Sequence, residues 1–286
     1  MTGRFPGHAL YERALDHERP LLMGVLNVTP DSFSDGGRFD HLDSAVEQAT
    51  RMLDEGADII DVGGESTRPG AADVDVDTEI RRVVPVIEAV RHANACLVSV
   101  DTSKPEVMAA AVGAGAGMIN DVRALREPGA LEMAARLGVP VCLMHMQGQP
   151  RTMQAAPTYT DVVDEVLQFL ADRIAACRNA GIPESMLVLD PGFGFGKTLE
   201  HNLALLARLE EFRGHGLPVL AGISRKSMLG TLTGRPVDER LAASVAAAAL
   251  ACLNGADILR VHDVAETRDA LSVAAAVRDH RQSAGR

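Results

Sequence analysis

The chain has 286 residues, long enough for one large α/β domain with a substantial core. Its 47% hydrophobic and 23% charged content is the balance of a soluble globular protein. Lys and Arg (28) against Asp and Glu (39) leave a formal charge of −11, which excludes broad electrostatic binding to nucleic acid or to an anionic membrane.

Residues 1–19 mix Arg, His, Glu and Asp without an apolar stretch, so they read as an N-terminal extension and not as a signal peptide. An apolar strand follows at 21–28 and ends in Asn27. It opens into a Gly/Pro-punctuated polar loop, 29–37, that carries Phe33. A helical pattern at 42–55 leads to a strand at 58–63 and a second polar loop, 64–70, with Thr67, Arg68 and Pro69. Helix 78–92, strand 97–101 ending in Asp101, helix 105–114 and strand 117–122 with Asn120 and Asp121 continue the alternation. Helix 129–137 precedes strand 140–145 with Met144, then come helix 160–179 and strand 186–190 ending in Asp190. Past a glycine-rich turn with Phe195 lie helix 199–212 and strand 218–223, which contains Gly222 and leads into Ser224-Arg225-Lys226-Ser227. Helix 238–253, strand 257–262 with Arg260 and His262, and helix 265–280 complete eight strand–helix units.

Near-continuous apolar strands alternating with helices predict a parallel sheet covered on both faces, and eight units predict one closed (β/α)8 TIM barrel over residues 20–282, with 283–286 as a tail. A doubly wound open sheet is the structural alternative, but eight regular units leave it no obvious edge strand. Glu55-Gly-Ala-Asp-Ile-Ile-Asp61, Gly115-Ala-Gly-Met-Ile-Asn-Asp121 and Asn254-Gly-Ala-Asp-Ile-Leu-Arg260 echo one another, each a glycine-ended helix running straight into a strand. Cys96, Cys142, Cys177 and Cys252 form no CxxC pair, which predicts inert reduced thiols and a cytoplasmic protein. The longest apolar run, 241–253, is too short to cross a bilayer.

Active sites of such barrels form at the C-terminal strand ends, and here those ends are polar. Asp101, Asn120, Asp190 and Lys226 at one barrel end predict a ligand site, because a carboxylate closing an apolar strand is costly unless it is paired. Two carboxylates, a carboxamide and an ammonium match the 2-amino-4-oxo edge of a pterin or guanine; a sugar or a metal pair also fits two aspartates. Arg260 and His262, two apart on one strand, share a face and precede Asp263-Val-Ala-Glu266, read as a capping box, so they predict an anion site separable from the carboxylate set. Asn27 on the neighbouring first strand is a candidate ligand for Mg2+, or simply a turn residue. Several motifs fall short. Gly192–Thr198 is one residue too short for a P-loop, Asp73–Asp77 lacks the later calcium-loop residues, and Met144-His145-Met146 sends only one parity into the barrel.

Met23-Gly-Val-Leu-Asn-Val-Thr-Pro-Asp-Ser-Phe-Ser-Asp-Gly-Gly37, Asp61-Val-Gly-Gly-Glu-Ser-Thr-Arg-Pro-Gly70, Ser99-Val-Asp-Thr102, Ile119-Asn-Asp121, Asp190-Pro-Gly-Phe-Gly-Phe-Gly-Lys197, Ser224-Arg-Lys-Ser227 and Arg260-Val-His-Asp-Val264 together resemble the dihydropteroate synthase family. The resemblance runs from about residue 20 to 278. It implies a transferase of folate biosynthesis that condenses (7,8-dihydropterin-6-yl)methyl diphosphate with 4-aminobenzoate, giving 7,8-dihydropteroate and pyrophosphate. It also implies Mg2+, sulfonamides as inhibitors and a homodimer. Carried over by residue, Asp101, Asn120, Asp190 and Lys226 hold the pterin, with Met144, Phe195 and Gly222 beside it. Asn27 (through Mg2+), Thr67, Arg260 and His262 hold the diphosphate, with Arg68 near it and near the aminobenzoate. Phe33, Pro69, Phe195, Lys226 and Ser227 form the aminobenzoate pocket. A folate-dependent methyltransferase domain or a non-catalytic pterin binder are the competing readings; neither needs a site for a leaving diphosphate.

Overall fold

Alternate residues of a strand face opposite sides, so a strand buried on both faces divides its side chains between two cores. The computed structural model describes residues 19–28, 38–66, 73–148 and 152–284, with Leu10, Glu12 and Ala14 before them. Among these, eight parallel strands form one sheet: β1 (Leu21–Asn27), β2 (Ile59–Gly63), β3 (Leu97–Asp101), β4 (Met118–Asp121), β5 (Val141–Met144), β6 (Leu187–Asp190), β7 (Leu220–Ala221) and β8 (Ile258–Val261). The order is β6-β5-β4-β3-β2-β1-β8-β7, and a parallel bridge between Leu189 and Val219 joins the two ends. Each strand therefore lies beside its sequence neighbours, β1 beside β8, with no switch point; the chain is a closed barrel and the doubly wound alternative falls.

One parity of the strands, including Leu22, Leu26, Ile60, Val62, Val98, Val100, Leu143 and Leu189, packs outward on the helices in the large core. The other parity points inward. Its lower layer, Leu21, Met23, Ile59, Leu97, Met118, Cys142, Val188, Leu220 and Ile258, takes at least one apolar residue from every strand. Two residues further along the same strands, the interior changes character to Asp61, Ser99, Asn120, Met144, Asp190, Gly222 and Arg260. This change from apolar floor to charged mouth positions the site.

The outer layer is α1 (Arg38–Asp54), α2 (Val76–Ala93), α3 (Pro105–Gly113), α4 (Ala130–Leu137), α5 (Val162–Asn179), α6 (Leu199–Ala207), α7 (Ser227–Thr233), α8 (Leu241–Leu253) and α9 (Val264–Ala284). Three departures from the sequence reading have local causes. The helix expected over 199–212 ends at Ala207 and tightens into a 3-10 turn, Leu209–His215, whose three-residue repeat puts Leu209 and Phe212 on one buried face. Helix α7 falls in a stretch read as a connection, and Gly234 ends it with a left-handed φ of +70°. The helix expected from 238 starts at Leu241, because Arg240 turns aside to donate to the carbonyls of Arg225 and Arg235. The N-terminal segment is also no mere extension: Leu10 and Ala14 are buried in the lower barrel layer.

Candidate active site

The strand-end residues converge as the alternation requires. Arg260, on the inward parity of β8, donates through Nε to Asp61 Oδ2 on β2 at 2.7 Å and through a terminal nitrogen to Asp101 Oδ2 on β3 at 2.9 Å. Asn120 on β4 donates to the same Asp61 oxygen at 3.0 Å. A chain of hydrogen bonds thus crosses the barrel mouth through strands 8, 2, 3 and 4. Asp61 Oδ1 and Ser99 Oγ, both buried and paired in register across β2 and β3, have no hydrogen-bond partner among the described residues. Burial pushes the Asp101 carboxyl up to about 7; Arg260 opposes this and the charge of Asp61 adds to it. Burial also works against the Arg260 cation, but the two aspartates outweigh it and hold the guanidinium above its ordinary value.

Across the mouth, Asp190 at the end of β6 pairs in register with Met144 and accepts the Gly192 amide at 2.7 Å. Burial raises its pKa, and the Lys226 charge works against that rise. Lys226 donates to the Phe193 carbonyl and lies 4.6 Å from the centre of the Phe195 ring. Burial lowers its ammonium to about 8, against the pull of Asp190. Phe195 packs with Val122, Met144, Met146 and Met153 as an apolar wall. A side-chain carbon added to Gly222 would lie 3.8 Å from Lys226 Nζ and 3.7 Å from Arg260 Cβ, so glycine keeps the space between them open. Ser227 begins α7 and is exposed.

The turn after β6 is fixed by backbone contacts only glycine allows. At Gly192, with φ +74°, any Cβ would collide with the His145 carbonyl oxygen, and Gly196 meets Gln147 in the same way. Below it, buried Lys197 donates to the carbonyls of Gly192 and Phe195 at 2.9 and 3.0 Å and contacts His145 Nδ1 at 2.9 Å. Burial lowers Lys197 to about 7, and burial followed by the Lys197 charge lowers His145 to about 2. His145 thus faces away from the barrel interior, as its parity requires.

His262 follows β8; its backbone N–H donates to Ser224 Oγ at 3.3 Å, and the same oxygen lies 3.0 Å from its ring Nδ1. Asn27 ends β1 opposite Gly63. A side-chain carbon on Gly63 would stand 3.6 Å from Asn27 Oδ1 and 3.8 Å from Asp101 Oδ2, so the carboxamide and the carboxylate flank open space. Phe33, Thr67, Arg68 and Pro69 lie outside the described residues.

Two expectations need correcting. Arg260 is not confined to a separate anion site, since its guanidinium joins the carboxylate set directly. Asp263, read as a capping residue, gives both carboxylate oxygens to Arg225. The residue the sequence reading missed is Asp61. It sits two residues before the end of β2, and its two-residue spacing from Gly63 on the inward parity was the signal that could have found it.

A closed parallel barrel with paired carboxylates, a carboxamide and two cations at its C-terminal mouth has the architecture of a small-molecule enzyme of the barrel class. The chain matches the model of the pterin binding enzyme family over residues 23–262, and it belongs to that family. It is 57% identical over 260 residues to dihydropteroate synthase from Escherichia coli K12, covering 91% of this chain and 92% of that protein. It superposes with a TM-score of 0.87 on the Yersinia pestis dihydropteroate synthase solved with a sulfonamide drug complex, at 54% identity, covering 91% of this chain and 95% of that one. The Xanthomonas albilineans dihydropteroate synthase solved with 4-aminobenzoic acid gives 0.86 at 57% identity, covering 91% and 93%. Within the family this chain is a transferase of the dihydropteroate synthase kind, acting in folate biosynthesis.

Proposed function

We propose that the barrel mouth is where the chain condenses (7,8-dihydropterin-6-yl)methyl diphosphate with 4-aminobenzoate, and that Asp61, Asp101, Asn120, Asp190 and Lys226 read the pterin. The observation that carries this is Asp61 Oδ1, a buried acceptor without a partner among the described residues while the other oxygen of the same carboxylate accepts twice. A buried acceptor left unpaired costs about 1–3 kcal/mol, and the amino and ring N–H groups of a pterin supply donors for it. Asp190 offers a further acceptor, Lys226 a donor, and Met144 with Phe195 an apolar wall for the ring.

In this reading the bond between the pterin methylene carbon and the diphosphate oxygen breaks first, and its electron pair leaves with the oxygen. The electron-rich pterin carries the positive charge until the arylamine lone pair forms the new C–N bond and the amine releases its proton. Arg260 and His262 meet the leaving group, stabilising charge that develops on its oxygens. Arg260 also ties that end of the site to the pterin carboxylates, so the two substrate halves are read by one connected set. Asn27, whose Oδ1 lies beside Gly63, would hold Mg2+ through one hard oxygen ligand, and the ion would supply positive charge for the diphosphate. The roles of Phe33, Thr67, Arg68 and Pro69 rest on the family resemblance; Lys226, Ser227 and Phe195 complete the aminobenzoate pocket.

The same reading places the enzyme in the cytoplasm as a homodimer. Its four cysteines are buried and unpaired, and no helix among the described residues is long and apolar enough to cross a membrane. Leu250 on α8 and Val273 and Val277 on α9 put exposed apolar side chains on two helices that pack together, a surface a second copy would cover.

A coupled pyrophosphate assay tests the chemistry: release requires both substrates, and a methyltransferase or passive binder releases none. Asp61→Asn tests the site, with pterin affinity expected to fall about tenfold or more; parent-like affinity refutes the assignment.

A further inference from the structure

Among the described residues, Ala124, Leu125 and Arg225 are non-glycine residues with left-handed φ, and only Arg225 stands between two residues of the active site. Its φ is +58°, a region that L-residues avoid and that persists only where the surroundings impose it. Here the surroundings do so through three residues. The Arg225 amide donates to Ser244 Oγ on α8 at 2.9 Å, and its carbonyl accepts from Arg240 at 3.0 Å. Its guanidinium pairs through Nε with Asp263 Oδ2 at 3.0 Å and through a second nitrogen with Asp263 Oδ1, at the start of α9. Ser244 Oγ in turn donates to the Arg240 carbonyl at 2.7 Å, so the clamp is internally bonded. Gly230 on α7 leaves room for it, since a Cβ there would collide with the Arg240 guanidinium.

The turn makes consecutive side chains diverge. Ser224, just before Arg225, reaches His262. Lys226, just after it, reaches the Phe193 carbonyl and the Phe195 ring. An ordinary right-handed backbone at 225 would re-aim one or both.

We propose that Arg225 is a positioning residue: clamped by Asp263, Ser244 and Arg240, its left-handed backbone aims Lys226 at the pterin half of the site and Ser224 at His262 in the diphosphate half. Arg225 acts through its neighbours and needs no contact with either substrate. The proposal rests on the site roles given above, and its test separates the two. If Lys226→Met alone leaves turnover unchanged, those roles fail, whatever Arg225 does.

The experiment compares Arg225→Ala, Arg225→Gly and Gly230→Ala by steady-state pyrophosphate release, with melting temperatures measured in parallel. Alanine loses the ion pair and still resists positive φ, so kcat/KM falls about tenfold or more. Glycine loses the same ion pair but adopts positive φ freely, so it recovers part of the loss. The fold-loss from Arg225→Ala is smaller in the Lys226→Met background than in the parent, because one of the two residues through which it acts is already gone. Gly230→Ala displaces Arg240 from the Arg225 carbonyl and lowers turnover in the same direction, which keeps the test open if Arg225→Ala does not fold. Equal fold-costs in the parent and Lys226→Met backgrounds overturn the proposal. So does a glycine variant no better than alanine, with activity loss tracking melting temperature, or full turnover in Gly230→Ala.

Discussion

Removing the Arg260 side chain tests the coupling of the two halves of the mouth. Arg260→Ala deletes hydrogen bonds of 2.7 and 2.9 Å to Asp61 and Asp101, carboxylates whose side chains are 0% and 8% exposed. Breaking a buried ion pair from one side costs about 3–5 kcal/mol, because the other charge stays behind. Asp101 relieves part of this by taking up a proton: its pKa is already raised to about 7, and Arg260 is what opposes a further rise. The expected loss is therefore at the lower end, about 3 kcal/mol by denaturant unfolding at pH 7. A carboxyl whose folded pKa lies above its unfolded value of about 3.9 binds more protons in the folded state across that interval, so folding gains stability as pH falls through it. The gap between variant and parent should thus narrow from pH 7 to pH 5. Calorimetry with a phosphate-free pterin should show affinity reduced about tenfold or more, since the pterin carboxylates have lost their organising cation. Arg260→Lys, which keeps charge without the fork, falls between. Stability within 1 kcal/mol of the parent together with unchanged pterin affinity would refute the coupling and return Arg260 to a simple phosphate contact.

Lys226 titrates at about 8, so kcat/KM should fall as pH rises through that value; the limb should vanish in Lys226→Arg, whose charge persists, and a limb unchanged in that variant removes Lys226 as its source. Gly192→Ala forces a Cβ onto the His145 carbonyl and should abolish turnover, with a stability loss of about 1–3 kcal/mol by urea unfolding; a fully active alanine variant contradicts the close approach. The four cysteines are buried, with burial raising every thiol pKa, so an aromatic disulfide reagent should label none in the native protein and all in urea; rapid native labelling would contradict the packing.

The barrel was legible because two periodicities coincide in this chain: inward and outward parity along each strand, and the glycine that ends a helix just before the next strand. Strand-end groups such as Asp101, Asn120 and Asp190 were legible for the same reason, since position on a barrel strand is position in the site. Asp61 was hidden two residues before the end of its strand, inside an apolar run. The partners of Arg260 were hidden differently: Asp61 lies 199 residues away, and only closure of β8 on β1 brings them together. Asp263 carries a sequence signal for helix capping, yet its oxygens go to Arg225 on another element, a case of tertiary pairing overriding a local pattern. The splitting of helix 199–212 depended on core demands at Leu209 and Phe212 that no local propensity records.

The floor of the barrel has one more consequence. Leu21, Ile59, Leu97, Leu220 and Ile258 fill the interior below the charged layer, and Leu10 and Ala14 close the bottom. Among the described residues this floor is apolar, so proton exchange between Asp101 and bulk water should run through the mouth. A substrate seated there covers that route, so the protonation state Asp101 holds as it arrives should be kept until it departs. The pH of the medium should then set, at each encounter, what fraction of arrivals finds Asp101 ionised.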